Sequence, residues 1–210
     1  MALIPYNSVV TTAAESKDMT VLDTVKLELG LTATTDDVLI AILIQQASSK
    51  AVELAGREFA AETMTEYFRQ RWGQHCDTLL QLSRRPIKTV TSVVEDGTTL
   101  TSADYEILAV KGRLQRLNSS GNPQHWSSGK IVVVYNGGFT MLTEESNALE
   151  RIVIDEIKRT YSARQRDPQL KSESVFDVAT FTYQANGFGQ GNKDPMLKAL
   201  EEQQFAEPSL

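Results

Sequence analysis

The chain contains few of the residues that build redox, metal or nucleophilic sites. Its 210 residues include one cysteine, Cys76, and two histidines, His75 and His125. A single cysteine cannot form a disulfide within the chain, which indicates a reducing compartment. Two histidines leave little room for a catalytic triad, and no G-x-S-x-G motif is present. We therefore expect no enzyme activity, no cofactor and no metal site; a small hydrolase around either histidine is the remotest alternative.

The sequence also lacks an excess of basic residues and the features typical of a signal peptide or a membrane span. The formal net charge is −6, which does not favour general nucleic-acid affinity through a basic surface. The first residues, MALIPYNSVV, have neither the basic start nor the long apolar run of a signal peptide. No uninterrupted apolar run approaches the roughly 18–20 residues that span a membrane. We expect a protein that is cytosolic or is assembled in a cytosol, without a membrane partner.

Two short stretches could still hold a ligand, but each has a simpler interpretation. Residues 75–77 (His-Cys-Asp) are three potential ligands, yet adjacent residues rarely enclose one ion and no second cluster completes a tetrahedral site. We interpret them as a turn. The alternating glycines of residues 187–191, followed by Lys193, lack the spacing of phosphate-binding loops and predict a flexible hinge.

The stretch 34–59 is the predicted element around which the chain is organised. It opens with two threonines that can cap a helix and closes near Gly56, which tolerates the left-handed conformation of a helix end. Its second half is amphipathic, whereas its first half, VLIAILI, is apolar on every side. Val38, Leu39 and Ile42 therefore need a cover, which either the same chain or another subunit can supply. Our functional hypothesis is a subunit interface at these three residues.

The rest of the chain alternates between helical and strand-like periods. Residues 1–18 predict an extended lead-in and residues 19–30 a short helix. Strands are predicted at 64–70, 78–82, 90–94, 98–100, 105–108, 113–117 and 130–135, with a tight turn at Asp96-Gly97. A second long helix is predicted at 144–166 and a short terminal helix at 196–205. Residues 174–184 carry apolar groups at both alternating sets of positions, as in a strand that contacts protein on both sides.

Four phrases, taken in order, resemble the head–tail connector (adaptor, or head-completion) proteins of long-tailed bacteriophages. They are VKLELGLTATTDDVLIAILIQQASSKAVELAGREF, LLQLSRRPIKTVTSVVEDGTTLTSADYEI, WSSGKIVVVYNGGF and ALERIVIDEIKRTYSAR, within residues 19–166. The resemblance implies a mainly α fold of the α+β class: a helical bundle with a small antiparallel β-hairpin sheet, at residues 86–108, and an extended C-terminal arm. The expected domains are a lead-in at 1–18, a connector domain with an inserted β element at 19–167, and the arm with its terminal helix at 168–210.

The same resemblance implies a structural role in a virion. Members of the family form dodecameric rings beneath the portal, continue the DNA channel, and offer a surface to a neck or tail-completion protein. The expected partners are therefore further copies of the chain, the portal, that neck or tail protein, and viral DNA that passes without sequence-specific binding. The expected location is the neck of the virion.

A C-terminal arm engages the portal in this family, and the tail of the chain is the corresponding region. The arm residues predicted to dock are Val175, Phe176, Phe181, Tyr183, Met196, Leu197, Leu200 and Phe205. The glycine-rich link at residues 186–192 departs from the family pattern. A different class of function is also open: a DNA-binding accessory factor that uses the basic edge at residues 84–88 (Arg-Arg-Pro-Ile-Lys).

Overall fold

The structure, a computed structural model, describes residues 2–69, 77–164, 172–175, 179–182 and 194–205. The chain divides into two compact units. Unit 1 comprises Met1–Lys17 and Arg57–Glu145, and unit 2 comprises Asp18–Gly56 and Ser146–Leu210. Unit 1 is built on β-sheets and unit 2 on helices.

Unit 1 contains a five-stranded antiparallel sheet in the order β1-β2-β8-β4-β5. The strands are β1 (Asn7–Thr12), β2 (Glu62–Arg69), β4 (Ile87–Glu95), β5 (Thr98–Thr99) and β8 (Lys130–Gly137). β8 lies at the centre, between β2 and β4. Its residues alternate strictly between buried and half-buried or exposed positions, as expected for a strand with one face on a core.

A second, three-stranded antiparallel sheet completes unit 1. It has the order β3-β7-β6, with β3 (Leu79–Gln81), β6 (Tyr105–Leu108) and β7 (Arg113–Arg116). The core of the unit includes buried side chains from both sheets and from the loop before β8. They are Met64, Phe68, Leu80, Leu82, Ile87, Val93, Leu114, Trp126, Ile131, Val133 and Tyr135. The Trp126 ring is also held by a hydrogen bond from its Nε1 to the Thr78 carbonyl, 3.1 Å.

One turn confirms a local prediction, and a second one requires a glycine. At the β4–β5 hairpin, Asp96 and Gly97 both have positive φ, 50° and 82°, as the predicted tight turn requires. At the end of β8, Gly138 has φ 112°, and a Cβ placed there would lie 2.4 Å from the Ala60 carbonyl oxygen. Only glycine fits this close approach, because both its conformation and the space exclude a side chain.

Unit 2 contains α1 (Leu22–Leu29), α2 (Asp37–Ala55), α3 (Asn147–Ala163) and α4 (Pro195–Glu202), with one 3-10 turn before α3. α2 packs against the other three helices. Both predicted helix ends at Gly30 and Gly56 are confirmed, since each glycine is left-handed and its N–H bonds back to the helix. The predicted threonine cap of α2 is wrong: α2 begins after Asp36, and the Asp36 side chain makes no capping hydrogen bond.

The predicted fold class, mainly α with a small β element, is wrong. The described residues form ten strands beside four α-helices, and the sheets are the larger part of unit 1. One cause is the lead-in, whose residues Asn7–Thr12 join the five-stranded sheet. Another is the tail, where β9 (Ser172–Val175) and β10 (Ala179–Thr182) form an antiparallel pair instead of one continuous strand. The protein is therefore a sheet-rich α+β protein.

α2 is long and apolar enough to cross a membrane by length and composition alone. It also carries a polar second half that includes Lys50 and Glu53, and one side is buried by neighbouring helices. The buried residues are Ile40, Leu43, Ile44, Ala47, Ser48 and Ala51. This pattern is that of a core helix of its unit.

Candidate interaction surfaces

The start of α2 carries an exposed apolar patch, which we call the α2 patch and define as Val38, Leu39 and Ile42. Val38 is 76% exposed and Ile42 46% exposed, while Leu39 is half-buried. Val38 and Ile42 are four residues apart and so lie on the same face of the helix. Leu27 on α1, 82% exposed, is a further apolar side chain in contact with water. Unit 2 by itself therefore leaves two of the three predicted interface residues uncovered.

Polar contacts hold the start of α2 in this orientation. Lys26 of α1 pairs with Asp37, Nζ to Oδ1 at 2.7 Å. The Tyr161 hydroxyl of α3 donates to Asp36 Oδ2 at 2.7 Å, and this carboxylate raises the pKa of Tyr161. Because the helix start is tied to both neighbours, Val38 cannot turn inward without breaking these bonds.

Glu28, at the end of α1, forms salt bridges with two basic side chains of α3. It pairs with Arg151 and Lys158, and the hydrogen bond from Lys158 is the main reason that its pKa lies below the ordinary value. Glu28 is exposed to solvent, so these pairs add little to stability and mainly set the relative position of α1 and α3.

One lysine forms salt bridges that attach the terminal helix α4 to its own unit, in addition to the buried side chains of α4. Lys50 Nζ lies 2.7 Å from Glu156 Oε1 and 2.8 Å from Asp194 Oδ2. Glu156, which interrupts the apolar stripe of α3, thereby finds a partner, and Arg159 Nη1 binds its other oxygen at 2.7 Å. Burial lowers the pKa of Lys50, but the hydrogen bonds to Asp194 and Glu156 outweigh it and the pKa is raised. Lys50 therefore links α2, α3 and the N-cap of α4.

We expect Lys50→Met to loosen α4 with little loss of global stability. Lys50 is about one third exposed, so solvent screens its pairs and the free energy of unfolding falls by less than about 1 kcal/mol. Hydrogen exchange of the α4 amides should nevertheless accelerate, because α4 has only eight residues and is marginal alone. Lys198→Met, which removes an exposed lysine within α4, is the control. Unchanged exchange in Lys50→Met would contradict the linking role.

The predicted docking-arm residues fall into three groups. Met196 and Leu200 are buried within unit 2, and Leu197 and Phe205 are half-buried. Val175 is the last residue of β9 and Phe181 belongs to β10. Phe176 and Tyr183 lie outside the described residues.

Two buried glutamates on β2 form a polar cluster that sequence reasoning missed. Glu62 and Glu66 face the core with Met64 and Phe68, at 2% and 0% exposure. Glu66 accepts hydrogen bonds from the Ser83 N–H, 3.1 Å, and the Tyr135 hydroxyl, 2.9 Å. The alternation of residues 64–70 was the available signal, because it places Glu66 on the same face as Met64 and Phe68.

The pKa values of Glu62 and Glu66 are shifted in opposite directions. Burial raises the pKa of Glu66, and the hydrogen bonds it accepts offset this only in part. Burial also acts to raise the pKa of Glu62, but the hydrogen bond and charge of Arg84, with the charge of Lys17, hold it below its ordinary value. Glu62 therefore adds stability above its unfolded pKa that is lost as pH falls through the lower folded value. The contribution of Glu66 declines as pH rises through its raised value.

Tyr135→Phe tests this cluster. The hydroxyl donates to Glu66 and accepts from the Arg84 N–H at 2.9 Å, so its loss leaves two groups short of a partner. We expect the free energy of unfolding to fall by about 1–3 kcal/mol in denaturant titrations. Tyr67→Phe, on the less buried face of β2, should change it little. Equal stability of Tyr135→Phe and the unmutated chain would contradict the inferred network.

Two of the three cations of the basic edge at residues 84–88 are paired with carboxylates within unit 1. Arg84 is only 12% exposed and pairs with Glu62, Nη2 to Oε2 at 2.7 Å. Lys88 Nζ lies 2.9 Å from Glu145 Oε2. Burial and the positive charge of the third cation, Arg85, lower the pKa of Arg57, which contacts this edge, to about 10. The pairing of Arg84 and Lys88 reduces the positive charge that this edge can offer to DNA phosphates.

Among the described residues, those weighed for chemistry do not gather into a site. His125 is exposed beside Trp126, at an open cavity of about 430 Å³ that Glu95 and Arg116 also line. Within the part of the chain that the structure describes, no three potential metal ligands cluster. His75 and Cys76 lie outside the described residues, as does the glycine-rich stretch 187–191.

The fold of the chain is similar to that of chains in solved structures. No protein-family model matches the chain, and no curated protein matches it significantly. Its fold is similar to that of a chain in the neck of an empty gene transfer agent (GTA) particle computed with C6 symmetry, with TM-score 0.55 and 14% identity over 97% of both chains. A chain of the virion of a native GTA particle gives TM-score 0.55 and 15% identity, again over 97% of both chains.

A third similar chain belongs to the neck of a native GTA particle computed with C12 symmetry. Its TM-score is 0.54 and its identity 13%, over 97% of both chains. Likeness at such identities shows the fold alone, but it extends over nearly the whole length. The chain therefore shares the fold of chains found in the necks and virions of gene transfer agent particles.

Proposed function

We propose that the chain is a structural protein of the neck of a phage-like particle. The observation that carries this proposal is the fold likeness to neck chains over 97% of both partners. The order of sequence phrases that resembles head–tail connectors supports it independently, because that resemblance comes from the sequence alone.

In this proposal copies of the chain form a ring beneath the portal, dodecameric as the connector resemblance implies. The ring joins the DNA-filled head to the neck or tail and continues the DNA channel. The α2 patch supplies part of the contact between neighbouring copies, because Val38 and Ile42 remain exposed within one chain. The C-terminal arm contacts the portal, with its terminal helix anchored by Met196 and Leu200. A net charge of −6 suits a channel through which DNA slides without being held by counterion release.

Mass measurement tests the ring. The purified chain is examined alone and mixed with the portal of the same particle, by native mass spectrometry or sedimentation velocity. We expect a discrete multiple of the 23.3 kDa chain in at least one of the two conditions. A chain that stays monomeric and never joins the portal would contradict the proposal.

The DNA-binding alternative predicts a different result. An accessory factor that uses residues 84–88 would bind bare duplex, with an affinity that falls steeply as salt rises. We expect no such binding, since Arg84 and Lys88 are already paired with Glu62 and Glu145.

A further inference from the structure

The strand that forms one edge of the five-stranded sheet is exposed and has no charged side chain. β1 is the last strand on that side, and all six of its residues are exposed. No charged side chain occurs in the first fourteen residues of the chain. Four large apolar side chains in this segment face water: Ile4 at 69%, Tyr6 at 59%, Val9 at 46% and Val10 at 43% exposure. An edge of this kind is a template for pairing with a strand from elsewhere.

The opposite edge of the same sheet is protected. β5 pairs with the end of β4, and the rest of β4 carries two register shifts, where Lys88 and Thr91 are the extra residues. Bulges and an exposed lysine are the devices by which proteins block strand addition. β1 has one register shift of its own, at Thr11, but no charged side chain, so the β1 edge still has the properties of a contact surface.

Two strands in the tail of the chain form a small sheet of their own. β9 and β10 are four residues each and, among the residues that the structure describes, pair with each other as a separate two-stranded sheet. An isolated two-stranded hairpin is marginal in water, and a third strand is what it needs. Within one chain this hairpin is not a member of the five-stranded sheet. In the proposed ring a neighbouring copy brings a second β1 edge and a second hairpin, so such a pairing can join two copies.

We propose that β1 of one copy pairs with the β9–β10 hairpin of the neighbouring copy, which continues the five-stranded sheet across the subunit boundary. This inference rests on the proposed ring. The contact joins two different surfaces, so each copy offers β1 to one neighbour and its hairpin to the other, as a closed ring requires. Backbone hydrogen bonds supply the attachment, as in other cases of strand addition.

Two variants separate the two halves of the contact. In the first, Val9→Lys with Val10→Lys places a lysine on each face of β1 and blocks the edge; both positions are exposed, so the fold should persist. In the second, a flexible Gly-Ser linker of equal length replaces residues 172–182. Each variant alone should lose self-association by at least tenfold. Thr98→Lys with Thr99→Lys, on the exposed β5 at the opposite edge, is the matched control and should assemble normally.

Mixing the two variants gives the sharpest result. The blocked copy still supplies a hairpin, and the copy without a hairpin still supplies an open β1. The mixture should form a one-to-one pair and stop there, because only one competent junction exists. Hydrogen exchange provides a second measurement: the β1 amides of the unmutated chain should become protected on assembly, more than those of β5.

The outcomes distinguish this inference from the ring itself. Rings that form normally with the lysines in β1 overturn the inference and leave the ring standing. Continued self-association of the chain without the hairpin, through β1 alone, does the same and indicates that β1 pairs with β1. An unmutated chain that is monomeric alone and with the portal contradicts the ring, and the strand pairing with it.

Discussion

Val38→Glu combined with Ile42→Glu should abolish self-association while the chain stays folded. Val38 is 76% and Ile42 46% exposed in a single copy, so only part of one apolar side chain is lost from the packing of the unit. Glutamate at position 38, in the first turn of α2, also complements the helix dipole, and the change in unfolding free energy should stay within about 1 kcal/mol. In an assembled interface, by contrast, unpaired buried carboxylates cost about 3 kcal/mol or more. We expect the association constant to fall at least a hundredfold.

The control carries the same charges on the same helix. Gln46→Glu with Ser49→Glu adds two carboxylates to exposed positions in the polar second half of α2. Sedimentation velocity on both double variants separates a local effect of the α2 patch from a general effect of two added charges. If the Val38 and Ile42 variant assembles as the unmutated chain does, the α2 patch is not a subunit interface.

Arg84→Met should be the most destabilising of the substitutions considered. Arg84 donates to Glu62 Oε2 from Nε and Nη2, at 3.0 and 2.7 Å, and the Glu62 side chain is 1% exposed. Methionine fills similar space but leaves that carboxylate with Lys17, 3.7 Å away, as its remaining cation. Breaking a buried pair in this way costs about 3 kcal/mol, measured as unfolding free energy in denaturant.

A double-mutant cycle separates the charge from the packing. Glu62→Gln with Arg84→Met removes the unpaired carboxylate and should recover a large part of the loss. Arg69→Met, at the exposed end of β2, controls for the loss of a guanidinium. The acid side gives an independent check: since Arg84 depresses the pKa of Glu62, stability of the unmutated chain should fall as pH drops below about 4, and Arg84→Met should flatten that fall. Additive effects of the two substitutions would contradict the pairing.

Most strands of unit 1 were predictable one by one, but their assembly was not. Residues 105–108 and 130–135 were predicted as strands, and both are strands in the structure. Their neighbours come from distant parts of the chain, as when β2 pairs with β8, and a periodicity of two contains no information about such partners. β1 has no alternation at all, because all its residues are exposed, so the lead-in could not be recognised as a strand of the sheet.

In both units, the partners of buried charged side chains could not be predicted from the sequence. Glu156 was recognisable as an interruption of the α3 stripe, but its partner Lys50 lies on another helix and could not be named. Glu66 was placed on the core face by the alternation of β2, yet a carboxylate between Met64 and Phe68 argues against burial unless Ser83 and Tyr135 are known to meet it. The α2 patch was found because an excess of apolar residues is visible without knowledge of any neighbour.

The central place of β8 governs how the chain can fold as it is made. β2 and β4 are both translated earlier, but each lies beside β8, so neither gains this neighbour until Gly137 has left the ribosome. At about 5–20 residues per second, the edge of β2 that pairs with β8 stays open for several seconds. Over that interval the apolar residues of β2 and β4 are available to wrong partners, including other nascent chains. Slow or crowded synthesis should therefore reduce the yield of folded unit 1.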